Sequence, residues 1–167
     1  MTATSARWRP MTATDLPAVS ALAALIHPGY PEDAVIFAER LRLYAPGCRV
    51  LERSGALAAY VLSHPWLDRA PPALNALLGE LPARPTTYYL HDLALMPEVR
   101  RSGAAAQAVT ALAEQARSAQ LPSLSLIAVN GSAGFWRRQG FEAIPDGSLR
   151  EKLRSYGEDA QFMMRTF

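Results

Sequence analysis

The sequence predicts a single α/β domain, with one mixed sheet carrying helices on both faces. Three observations predict it. The chain has 167 residues, enough for one domain with a full core rather than two. Half of the residues are apolar and 19% are charged, an ordinary balance for a globular domain. Segments with the period of a strand are interleaved with segments of helical period in the order β-α-α-β-β-β-α-β-α-β-β.

A short strand over 6–11 opens the chain. Thr14 is placed to cap a helix with Asp15 and Pro17 in its first turn, and Leu16, Val19, Leu22, Ala23 and Ile26 share one face of it. IHPGYPED (26–33) reads as a turn, and EDAVIFAERLRLYAPG as a second helix stopped by Pro46 and Gly47. Two strands then flank a Ser54-Gly55 turn as a hairpin. Residues 64–85 hold five prolines and one short helical patch, ALNALLGEL. A connection of that length in a small domain predicts a lid or binding loop. TTYYLHDLALMPE (86–98) is a long strand, and GAAAQAVTALAEQARSAQ (103–120) is a helix. Ala105, Val109, Leu112, Ala116 and Ala119 form one face of that helix, and its many alanines let it lie close to a sheet. Strand SLSLIAV (123–129), a short helix over 132–139, strand FEAI, a polar helix or loop PDGSLREKLRSYGED and strand AQFMMRTF complete the order. The MTAT at 1–4 recurs at 11–14 without the period of a repeat fold.

Composition also excludes classes of function. Net charge is +2 and the arginines are scattered, so no nucleic-acid footprint is suggested. Cys48 stands alone, which excludes a disulfide framework or a cysteine metal cluster and suits a reducing compartment. It reads as a small buried residue opening a strand. MTATSARWRP lacks the apolar core of a signal peptide, and no window approaches about 18 apolar residues. The expectation is a cytoplasmic domain with neither membrane nor nucleic acid as a partner.

The most informative segment is LHDLALMPEVRRSGAAAQAV, which leaves a strand at Pro97 and enters a helix at about Gly103. The first turn of a helix has unpaired N–H groups and the positive end of the dipole, so it attracts anions. Here that turn is Arg100-Arg101-Ser102-Gly103-Ala104-Ala105. Two arginines add charge, and Gly with Ala lets a phosphate approach the backbone. By itself the pattern is also an ordinary strand-to-helix connection with exposed arginines. It is neither a P-loop, lacking G-K-[ST], nor a dinucleotide fingerprint, lacking three spaced glycines.

A second element lies downstream, where a strand ends at Asn130 and a short helix carries Phe135-Trp136 followed by Gly140-Phe141. With Leu93-Ala94-Leu95-Met96-Pro97 and Arg100-x-x-Gly103-x-Ala105 before it, the chain resembles the GCN5-related N-acetyltransferase superfamily. The element order matches as well, so the resemblance covers nearly the whole chain. It implies a mostly antiparallel sheet of about seven strands in which strands four and five splay apart. It implies acetyl-coenzyme A as cofactor, its pyrophosphate on the helix start at 100–105 and its pantetheine between the splayed strands, near Leu93, Ala94 and Leu95. A backbone N–H at about Leu95 is expected to polarise the thioester carbonyl. Asn130, Ser132, Phe135 and Trp136 are expected to form the second cofactor wall. NGSAG is not a nucleophile elbow, because Asn130 stands where that turn needs Gly, and Ser132 reads as a helix N-cap.

The implied reaction is direct attack of an amine on the thioester in a ternary complex, and nothing in the residues calls for a metal. An amine is mostly protonated near neutrality, so some group must take its proton. His91 and Asp92 precede the pantetheine segment. Strand alternation puts them on opposite faces, so at most one faces the reaction centre. Family members often carry Glu or Asp at the Asp92 position, and Asp92 is the favoured base with His91 second. The structural alternative is that His91 packs against a helix while Asp92 holds a loop. His27 and Tyr30, in the turn where the family builds its acceptor pocket, and His64, Trp66 and Tyr89 are candidates for acceptor binding. Relatives often have Tyr at the position of Trp136, whose hydroxyl can protonate the leaving thiolate; indole N–H is too weak an acid to do so. The expected acceptor is a small-molecule primary amine. Three readings stay open beside it: a peptide or protein N-acetyltransferase, an acyl-CoA-binding sensor without turnover, and an enzyme for a longer acyl chain. The family often dimerises, and a homodimer is one expectation here.

Overall fold

The computed structural model describes residues 5–167, and the first MTAT, at 1–4, lies outside the described residues. Seven strands form one sheet: β1 (Arg7–Pro10), β2 (Cys48–Arg53), β3 (Ala56–Trp66), β4 (Thr87–Leu95), β5 (Ser123–Ala128), β6 (Glu142–Ala143) and β7 (Gln161–Thr166). Their spatial order is β1-β2-β3-β4-β5-β7-β6, and every neighbouring pair is antiparallel except β4 with β5.

Alternation along β3 sorts two cores. Tyr60 and Leu62 point to the face covered by α1 (Leu16–Ile26) and α2 (Ala34–Leu43), where Val19, Leu22 and Phe37 pack on them. Val61 points to the opposite face, under α3 (Ala104–Ser118) and α4 (Ala133–Arg138), with Leu112, Leu124 and Trp136. Burying a side chain the size of Leu112 stabilises the fold by about 1.5–3 kcal/mol. The α3 face is alanine-rich where it meets the sheet, with Ala108, Ala113 and Ala116 all buried. A single short helix, α5 (Arg150–Arg154), precedes β7.

The Ser54-Gly55 hairpin turn forms with both residues in the left-handed region, φ 55° and 77°. The cap of α1 differs from the expectation. A 3-10 turn over Ala13–Asp15 precedes the helix, and the Asp15 carboxylate accepts from the Thr12 backbone N–H at 2.8 Å, so Thr14 is not the cap. Asp15 also binds Arg9, and that guanidinium holds its pKa down to about 2. The helical patch at 73–81 does not form. Residues 71–79 have no regular structure, and their backbone groups bond instead to side chains of other elements. No helix among the described residues is long and apolar enough to cross a membrane.

The β4–β5 ladder has only two rungs, Tyr88 with Leu124 and Tyr89 with Ser125. Beyond them the strands part. This opening positions the site.

Candidate active site

A cavity of about 690 Å³ runs through the gap between β4 and β5. One end is walled from the α1/α2 side by Ile26, His27, Tyr30 and Glu32, the other from the α3 side by Arg100, Arg101 and Gly103. Tyr89 to Leu95 of β4 form a continuous wall between the two ends.

Both His91 and Asp92 reach this cavity, against the expectation from alternation. Leu62 pairs with Asp92 and Ser63 with Leu90, so β4 has one extra residue, His91, opposite β3. A bulge of this kind breaks the period of two. It turns Asp92 onto the α1/α2 side, where both carboxylate oxygens are held. His27 Nε2 lies 3.2 Å from Oδ1, and the buried Tyr60 hydroxyl donates to Oδ2. Burial opposes charge on His27, but the Asp92 carboxylate and the Leu93 carbonyl outweigh it and raise its pKa above the ordinary histidine value. Burial, with the Asp92 charge and bond adding to it, pushes the Tyr60 phenol well up, so it stays a donor.

A second pair lies beside the first. His91 Nε2 meets Glu32 Oε1 at 2.8 Å. Burial alone would raise the Glu32 carboxyl, yet the His91 bond and charge hold it below its usual range. The site therefore holds two carboxylate–imidazole pairs, with only Asp92 also clamped by a phenol.

The other end is built from α3. Gly103 is its N-cap at φ 85°, in the left-handed region that glycine adopts without strain, and no atom lies within 4 Å of where a Cβ would project. The first helix-type bond runs from Gln107 N–H to Gly103 O at 3.0 Å, which leaves the Ala105 and Ala106 N–H groups without helical partners at the cavity wall. Arg100 bonds the Leu95 carbonyl through Nε at 3.1 Å and so ties the rim to β4. Two residues of this turn stay off the wall. Ser102 uses its hydroxyl on Val99 O at 2.6 Å, and Ala104 is buried, accepting from Trp8 Nε1 at 3.0 Å. Across the gap stand Asn130, Ser132, Phe135 and Trp136. Ser132 is at the N-cap of α4, but its hydroxyl makes no cap hydrogen bond. Trp136 is wedged between Phe135 and Phe141, ring centres 4.8 and 5.4 Å away. Gly140, at φ 90°, lets the chain leave α4.

A model of the acetyltransferase (GNAT) family matches residues 13–141. The chain belongs to the GNAT family. This makes it an acyltransferase by family. Three solved GNAT-fold structures illustrate the likeness. The loading GNATL domain of CurA from Lyngbya majuscula matches with a TM-score of 0.79 at 10% identity, over 97% of this chain and 98% of that one. A GNAT-like decarboxylase, GphF, in complex with isobutyryl-CoA, matches at 0.77 and 17% identity, over 96% and 98%. Naa50 of Arabidopsis thaliana, in complex with the bisubstrate analogue CoA-Ac-MVNAL, matches at 0.72 and 10% identity, over 98% and 99%. A search of curated proteins finds no match.

Two acceptor candidates are not brought to the GNAT cavity. His64 is 1% exposed, and its Nδ1 bonds Pro65 O at 2.9 Å. Burial pulls its pKa down to about 3, so it is a neutral core residue at pH 7. Trp66 donates to Ala70 O at 2.7 Å and braces the start of the loop. Both lie where β3 continues past the β4–β5 gap. Conversely, Glu32, Leu74 and Tyr156 line the cavity, and Tyr60 stands behind Asp92, without being singled out in the sequence. Glu32, in the predicted turn with His27 and Tyr30, carried a weak positional signal. Leu74 and Tyr156 carried none, since only the fold brings them there. Cys48 is buried, with its thiol pushed up to about 12, and takes no part.

Proposed function

We propose that this protein is an acetyl-CoA-dependent N-acetyltransferase acting on a small-molecule primary amine. The observation that carries this reading is the cavity through the β4–β5 gap, with a helix N-terminus at one end and carboxylates at the other. The residues present fit acetyl-CoA. Free N–H groups of Ala105 and Ala106, the open space at Gly103 and the Arg100 and Arg101 side chains suit its phosphates. The β4 wall over Leu93, Ala94 and Leu95 has no ladder partner on its β5 side and gives pantetheine a strand edge to lie along. Bound there, acetyl-CoA supplies an acetyl group activated as a thioester. The CoA-containing complexes of two similar folds support the same cofactor.

The remaining chemistry belongs to the chain. Asp92 is the proton acceptor for the incoming ammonium, oriented by the Tyr60 hydroxyl and by His27. His91, with Nε2 committed to Glu32, holds that carboxylate on the wall rather than serving as the base. Trp136 shapes the cofactor wall and donates no proton. Residues 71–79 place Leu74 on the acceptor end, with Pro72 O bonded to the Tyr156 hydroxyl at 2.7 Å, which favours a small acceptor over a peptide.

The test is release of thiol from acetyl-CoA across a panel of amino acids, diamines, arylalkylamines, aminoglycosides and short peptides. Turnover of a small amine supports the reading. Thermal stabilisation by acetyl-CoA with no turnover on the panel points to a sensor, and turnover of peptides alone points to a peptide N-acetyltransferase.

A further inference from the structure

The acceptor end is covered by residues 71–79, a strap with neither helix nor strand. Its backbone is nevertheless fixed at five points by side chains from outside it. Tyr156 donates its hydroxyl to Pro72 O at 2.7 Å, and Glu32 accepts from Asn75 N–H at 3.0 Å. Arg40 donates to Ala76 O at 3.1 Å, and the Glu39 carboxylate accepts from Leu78 and Gly79 N–H at 2.6 and 3.0 Å. Glu39 and Arg40 are 5% and 1% exposed. Removing charge from water is costly unless it is paired and hydrogen-bonded, and this ion pair spends three hydrogen bonds on the strap, with Arg40 Nε left without a partner. A strap held so firmly is a wall, and the side chain it presents to the cavity is Leu74.

What lies opposite Leu74 defines a chemistry. Ile26, Tyr30, Tyr89 and Tyr156 surround the same end. Its charged groups are already matched, Asp92 by His27 and Tyr60, Glu32 by His91. No unpaired cation among the described cavity-lining residues at this end is available to hold a carboxylate on the acceptor. Glu32 is committed to His91 and to the Asn75 N–H, so among the described cavity-lining residues no carboxylate besides Asp92 is offered to a second ammonium. Arg154 stands outside, exposed, in an adjoining cleft beyond Tyr30 and Tyr156.

We infer that the acceptor is a monoamine on a short apolar body, aliphatic or aromatic, and that Leu74 sets the limit on its size. The amine approaches Asp92 while the body packs against Leu74 and the tyrosines. This deepens the acetyltransferase reading and rests on it for turnover, but not for binding.

The experiment compares wild type with Leu74→Ala and Leu74→Trp. Acceptors are 2-phenylethylamine, the aliphatic isopentylamine, the bulkier tryptamine, putrescine and glutamate, scored as kcat/KM by released thiol. Binding of each amine to the CoA-saturated protein is measured in parallel by calorimetry. Wild type is expected to favour 2-phenylethylamine over putrescine and glutamate by about tenfold or more. Leu74→Ala should shift preference toward tryptamine by about tenfold, and Leu74→Trp should lose both arylalkylamines. Putrescine or glutamate as the best acceptor or ligand overturns the inference, glutamate by implicating Arg154. So does an acceptor profile that neither Leu74 variant moves. If no amine is acetylated but 2-phenylethylamine still binds with the predicted Leu74 dependence, the acetyltransferase reading fails and this one stands. Failure of both 2-phenylethylamine and isopentylamine to bind overturns it outright.

Discussion

His27 and Asp92 meet with Nε2 and Oδ1 3.2 Å apart, joining the C-terminal end of α1 to the bulge in β4. The second Asp92 oxygen is taken by Tyr60 from β3. Three elements thus converge on one carboxylate at the point where the β4–β5 gap begins.

Asp92→Asn removes the charge and keeps the shape. A positioned proton acceptor contributes about 10²–10⁴-fold, so kcat should fall by that order while KM for acetyl-CoA changes far less. Steady-state kinetics with a saturating amine measures both. Unchanged turnover would take Asp92 out of the mechanism.

Gly103→Ala tests the cofactor end. No atom obstructs the added methyl, so the change isolates backbone strain at φ 85° together with intrusion on the anion-binding turn. A left-handed non-glycine residue costs roughly 1–2 kcal/mol, which for a chain of this size is a drop in Tm of about 2–8 °C. KM for acetyl-CoA should rise with little change in kcat. A variant with wild-type KM would argue against phosphate binding at this turn.

Trp136→Phe should retain substantial activity, because its indole shapes the wall and donates no proton. The ring sits between Phe135 and Phe141, so some stability is lost, less than the ~3–5 kcal/mol of truncation to Ala. Near-total loss of kcat with circular dichroism unchanged would show that the indole acts in the chemistry.

His64 gives stability an acid limb. Its pKa is 6.5 unfolded and about 3 folded, so between those values the unfolded chain binds the extra proton. The contribution is complete above pH 6.5 and is lost as pH falls toward 3. Its slope approaches about 1.4 kcal/mol per pH unit. His27 has the opposite sign: its folded pKa is raised, so its pairing stabilises below about pH 6.5 and fades as pH rises through the folded value. Urea unfolding of wild type and His64→Asn at pH 4.5 and 7.5 should show a smaller loss on acidification in the variant. Equal losses would show that His64 is not the titrating group.

The local order of this chain was legible from its residues. Strand and helix periods, the Ser54-Gly55 turn, the helix start at Gly103 and the Phe135-Trp136 helix are encoded by neighbours in sequence, and each forms where its own propensities place it. The site needed the tertiary structure. Alternation separated His91 from Asp92, and only the register against Leu62 and Ser63 of β3 brings both to one wall. The helical pattern at 73–81 lost to Glu39, Arg40 and Tyr156, which offer its backbone better partners than its own turns do. His64 looked like an acceptor ligand until the fold buried it, whereas Glu32 and Leu74 became walls of the cavity. Short-range hydrogen bonds and periodicity act between residues a few positions apart, so one sequence determines them. Burial, bulge register and ion pairing join residues distant in the chain, and those contacts exist only once the sheet has assembled.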